Sequence, residues 1–134
     1  MTTIALIIGL VVALFVLGTF VERGRMRHYW QRACTGRLWR QRFPAASKSE
    51  IRQFLDVFIE SFSFADRRRL CFAPDDRVMD VYRALYPHRF MADGMELETL
   101  VRDLQRRYRV EIHSSWRDDI TLGDLFGRTR QDVA

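Results

Sequence analysis

Lysine is all but missing from this chain: of 22 Lys and Arg residues only Lys48 is lysine, so whatever the positive charge does, arginine does it. Cysteine is scarce too, and Cys34 and Cys71 alone exclude a multi-disulfide scaffold and a four-cysteine zinc site. His28, His88 and His113 are scattered, with no His-x-x-x-His or Cys-x-x-Cys spacing to form a ligand pair, so no metal site is expected. No nucleophile stands beside a base and no glycine-rich phosphate loop is present, which argues against an enzyme. Asp75, Asp76 and Asp80 lack the glycine and distant glutamate of a calcium loop, and read as a turn with helix-capping acids. At 134 residues, 48% apolar and 29% charged, the chain is too apolar for intrinsic disorder and long enough for one small domain.

The longest absence is of charge. From Thr2 to Val21 there is none, and Ile4–Val21 holds thirteen Ile, Leu, Val or Phe residues. Twenty helical residues reach about 30 Å, the thickness of a bilayer's hydrocarbon core. At the insertion energies of large apolar side chains, thirteen contribute about −4 to −8 kcal/mol. A cleaved signal peptide would carry a basic region before the apolar run and a small-x-small site after it; here Met-Thr-Thr precedes and Thr19-Phe20-Val21-Glu22-Arg23 follows. The expectation is an uncleaved single-pass anchor over residues 1–21. Ala5, Gly9 and Ala13 fall four apart and form a small-residue face through which two such helices would dimerise.

Arg23, Arg25, Arg27, Arg32, Arg37, Arg40, Arg42 and Lys48 follow against the single acid Glu22. They give residues 22–48 a charge of +7, leaving −2 for the rest of a total of +5. Basic flanks stay in the cytoplasm, so the C-terminal part is expected there, with the N-terminus outside. Residues 22–46 are expected to form a basic, aromatic juxtamembrane segment lying along the bilayer. In it Arg23, Arg25, Arg27 and Arg32 meet anionic headgroups, while Tyr29, Trp30 and Trp39 sit at headgroup level. Arginine interleaved with aromatics also marks single-strand nucleic-acid grooves, but no nucleic-acid motif accompanies it, and no nucleic-acid partner is expected.

Residues 47–130 read as an all-α bundle of three to four helices, with 131–134 a tail. Ser47 and Glu50 make a capping box, and Ile51, Phe54, Leu55, Phe58, Ile59 and Phe62 make one apolar stripe over about 48–62. A second helix is expected from Asp93, with Glu96 completing its cap and Leu97, Leu100, Val101, Leu104 and Tyr108 as its stripe. Its other face carries Arg102, Arg106, Arg107 and Arg109, a candidate partner face. Thr121 and Asp124 open a third helix anchored by Leu122, Leu125 and Phe126. Asp80–Tyr86 adds a helical turn or two, Arg67-Arg68-Arg69 is a solvated charge run, and Val110-Glu111-Ile112 is an extended exit.

The stretch from Asp93-Gly94-Met95-Glu96-Leu97 to Tyr108-Arg109-Val110-Glu111-Ile112 resembles the second helix of acyl carrier proteins, where the pattern opens Asp-Ser-Leu. Ile120-Thr121-Leu122-Gly123-Asp124-Leu125-Phe126 resembles the entry to that family's last helix. Leu70-x-Phe72-x-Pro74-x-Asp76 resembles the loop after its first. The similarity covers about residues 48–130 and is nearest to a bacterial branch of unknown function whose motif reads Asp-Gly. It implies an acyl-carrier-like bundle in a bacterial protein, here on the inner membrane. In carriers the serine oxygen bears the phosphopantetheine arm; Gly94 has no oxygen to bear it, so no cofactor is expected. The reading that follows is a non-catalytic, membrane-anchored module that binds a protein partner. The alternative is a protein that holds a lipid or acyl chain non-covalently between its helices.

Overall fold

A computed structural model describes residues 1–86 and 94–131, and the side chains of all of these but Val21, Glu22 and Arg23. Among the described residues the chain is all-helical, with no strand longer than the single bridge between Arg77 and Thr121.

Helix α1 runs unbroken from Thr2 to Trp30. Its large apolar side chains are exposed around its whole circumference, from Val16 at 44% to Phe15 at 74%, and no described residue covers them. Its last two turns behave differently. Met26 and Tyr29 are buried, and Trp30 packs beside them. Spacing of three and four residues puts these side chains on one face, so helical periodicity outlasts the change from apolar to charged sequence.

Helix α2 (Gly36–Arg42) turns back and plants Trp39 in the centre of the domain with no exposed surface. Helix α3 (Lys48–Ser61) is opened by the expected capping box: the Glu50 amide donates to Ser47 Oγ at 3.1 Å, and the Ser47 amide donates to Glu50 Oε2 at 2.7 Å. Ile51, Phe54, Leu55, Phe58 and Ile59 are buried along its inner stripe. A 3-10 helix, Asp66–Cys71, leads to the Pro74 turn and to α4 (Val78–Leu85). Helix α5 (Met95–Tyr108) packs on α3, and α6 (Leu122–Gln131) closes the chain behind a second capping box between Thr121 and Asp124.

The start of α6 is pinned to the Pro74 turn. Val78 N–H donates to Ile120 O at 3.1 Å, Leu122 N–H to Asp76 O at 2.9 Å and Gly123 N–H to Pro74 O at 2.8 Å. A Cβ on Gly123 would lie 2.9 Å from Pro74 O, so only glycine permits this approach. After α5, Val110 and Ile112 are buried, Ile112 with helical dihedrals (φ −117°, ψ −30°) instead of the expected extended ones, and Gln105 Oε1 accepts the amides of Ile112 and His113.

Aromatic rings fill the core. Trp39 stacks on Phe43 and meets Phe126 edge-on with centroids 5.7 Å apart, while Phe72 touches Tyr29, Trp30, Phe58 and Phe64. Trp39 Nε1–H donates to Phe72 O at 2.8 Å, and Thr35 Oγ1–H donates to the same carbonyl at 2.7 Å. Residues 22–46, expected to lie along the bilayer, thus contribute to the domain: Tyr29 and Trp39 are core residues and Trp30 packs against the core, on the aromatic surface of Phe72, Phe54 and Phe126.

Candidate functional site

Two places stand out: the junction where α1 enters the domain, and Gly94 at the start of α5. At the junction, Tyr29 lies 5.5 Å from Phe72 between ring centroids, and Trp30 meets Phe64 and Phe72 edge-on. The Arg68 guanidinium covers the Trp30 ring from outside at 4.5 Å. Arg32 completes the joint with a bidentate fork on Asp76, Nη1 to Oδ2 at 2.6 Å and Nη2 to Oδ1 at 2.8 Å. Asp76 is nearly buried and also accepts the Ala73 amide at 2.7 Å. Its hydrogen bond raises the pKa of Arg32 above its ordinary value, outweighing the opposing effect of partial burial.

Of the side chains expected at the membrane surface, Arg25 and Arg27 are exposed on α1, where they stand free to meet headgroups. Arg32 is turned into the ion pair, Trp30 is half-covered, and Tyr29 and Trp39 are buried in the domain. The Arg23 side chain lies outside the described residues. Asp75 and Asp76 each face an arginine, Arg42 at 3.0 Å and Arg32 respectively. Among the described residues no three His, Cys, Asp or Glu side chains come together to hold a metal ion.

Sequence reasoning missed this junction. The Met26-Tyr29-Trp30 spacing held a readable signal, masked by Arg25 and Arg27 beside it; the pairing of Arg32 with Asp76, 44 residues away, had none.

Gly94 stands immediately before α5 with φ +75°, a left-handed conformation that side chains disfavour. Its N–H donates to Tyr82 Oη at 2.8 Å. The hydroxyl of Tyr86, the residue that caps α4, donates to Glu96 Oε1. Asp93, the expected cap of α5, and His88 lie outside the described residues. Beyond Gly94, Arg102, Arg106, Arg107 and Arg109 are exposed, as expected for the face opposite Leu100, Val101 and Leu104. Arg102 pairs with Asp103 at 3.6 Å, and Arg109 caps the helix at φ +54°.

The hydrogen bonds of the capping boxes and turns set the acid groups. The Ser47 amide and Arg130 hold the Glu50 carboxyl below the usual range, and Ser114 does the same to Glu111. Burial raises the Tyr108 phenol.

No family model, curated protein or solved structure matches the chain.

Proposed function

We propose that this protein is a non-catalytic, membrane-anchored module of acyl-carrier-like kind, which presents a helical domain to a protein partner at the cytoplasmic face of a bacterial inner membrane. The observation that supports it best is the double character of α1. Its first two-thirds has a mean hydropathy of 3.0 over eighteen residues and no burial, while its last turns form part of the domain core. So exposed an apolar helix supports a place in lipid, where its side chains leave water. Because the helix does not break before the domain, the module is presented in a fixed attitude, not on a loose tether. Arg25 and Arg27, at the exit, are placed to meet anionic headgroups.

A glycine at position 94 supports a role without a phosphopantetheine arm, and the exposed arginines of α5 supply a face for an acidic partner. The alternative, an acyl chain held between the helices, has less support. The space between α3 and α5 is taken by Phe54, Leu55, Phe58, Leu100 and Leu104, all without exposed surface.

Chemical crosslinking in intact membranes, followed by solubilisation and purification, tests the proposal. A stoichiometric protein partner is expected, lost when Arg102, Arg106 and Arg107 are changed together to Glu. Recovery of the protein alone, or in the soluble fraction, overturns it.

A further inference from the structure

On the side of the domain built by the end of α2 and by α6 lies an open groove of about 310 Å³. Arg42, Arg117 and Arg128 line it, against one carboxylate, Asp124. That carboxylate is already engaged: Oδ2 accepts the Thr121 amide at 3.1 Å, and Oδ1 is 3.9 Å from Arg42. Arg42 has a nearer partner in Asp75, but that side chain is 87% exposed, and so exposed a pair is weak. Arg117 pairs with its neighbour Asp119 at 3.4 Å, both in solvent.

Arg128 differs from the other two. It is partly buried, and its guanidinium is fixed by Ser115, donating to the carbonyl at 3.3 Å and to Oγ. Both acceptors are neutral, and among the described residues no carboxylate forms an ion pair with it. A charge held still and left without a counter-charge has little ordering entropy to lose when an anion arrives.

Gly127 is the second, independent observation. Glycine inside a helix costs about 1 kcal/mol relative to alanine. Gly123 needs its glycine to approach Pro74, but Gly127 has no such need: a Cβ there would meet only Phe43 Cε1, at an ordinary 3.8 Å. What its missing side chain does is leave the floor of the groove open beside Arg128.

We propose that this groove is a binding site for a phosphomonoester dianion. Arg128 has no carboxylate partner among the described residues, the pairs of Arg42 and Arg117 are solvent-exposed and weak, and planar guanidinium forks suit the oxygens of a doubly ionised phosphate. The phosphate belongs either to a soluble ester or to a lipid headgroup; the recognising chemistry is the same. This site stands independently of the partner face on α5.

The test uses the full chain in maltoside micelles at pH 8, titrated with inorganic phosphate at constant ionic strength, with chloride as control. The side-chain Nε–H resonance of Arg128 is expected to shift and saturate. Arg128→Gln should weaken binding, followed by the Arg42 resonance, by about tenfold or more, the loss of one charge-assisted fork. Gly127→Leu should fill the groove and abolish binding, while Gly127→Ala keeps both fold and binding. In nanodiscs, a shift with phosphatidic acid and no soluble phosphate assigns the site to a headgroup; a shift with soluble phosphate in neutral nanodiscs assigns it to a soluble ester. No saturation above the chloride control overturns the proposal. So does unchanged affinity in a folded Gly127→Leu or Arg128→Gln protein.

Discussion

Gly94 combines a left-handed φ of +75° with open space where a side chain would go, since nothing lies within 4 Å of a Cβ built there. The obstacle to another residue is therefore the backbone and not a collision. Replacing it with serine restores the oxygen a carrier would use, but forces an L side chain into that conformation. Gly94→Ser is expected to lower stability by about 1 kcal/mol, and Gly94→Asn by less, because asparagine tolerates the left-handed region. Urea denaturation of the two variants beside the parent checks both values. The contrast with Gly123 is instructive: one glycine is required by φ, the other by the 2.9 Å approach to Pro74 O.

At the scale of the element, the two capping boxes are the features most directly written in the order of residues. Ser47 with Glu50, and Thr121 with Asp124, start α3 and α6 where their spacing predicts. Only local geometry is needed, because three residues of helix bring the partners together. Glu50 is also bound by Arg130 from α6 at 3.1 Å, and its carboxyl titrates below the ordinary 4.5. A group more acidic folded than unfolded contributes stability that is present above its unfolded pKa and lost as pH falls through its folded one. Stability is therefore expected to decline as the pH drops below about 4.5, and Glu50→Gln should flatten that decline. Guanidinium melts at a series of pH values between neutrality and 3 follow it. The second helix was less legible. Its buried stripe of Leu100, Val101 and Leu104 was plain, yet no local rule connects Glu96 with Tyr86 at the end of α4.

In the whole molecule, the apolar span and the domain share a helix, and the domain's first core residue is Met26, not a residue after Ser47. A fragment that starts at residue 22 keeps Met26, Tyr29, Trp39 and the Arg32–Asp76 fork. It is expected to fold cooperatively and to stay in solution. A fragment starting at residue 47 loses Trp39, and burial of one such ring is worth about 3–5 kcal/mol, comparable to the stability of a small domain. That shorter fragment is expected to show no cooperative thermal transition by circular dichroism. A folded 47–134 fragment would restore the juxtamembrane segment to independence.

Helix-forming stripes, the capping boxes of α3 and α6 and the uncharged span were decided by residues within a few positions of one another. Periodicity, capping and charge density are local quantities, so one-dimensional order suffices to specify them. Where the aromatic side chains of residues 26–39 would go was decided only in three dimensions. Tyr29 and Trp39 suit a headgroup layer and a protein core equally well, being amphipathic rings, and the choice depends on what faces them. Phe72, whose ring meets Tyr29 and whose carbonyl accepts from Trp39, supplies that surface from more than thirty positions away. Long-range apposition of this kind leaves no periodic mark, because it is set by how the helices pack and not by how any one of them is composed.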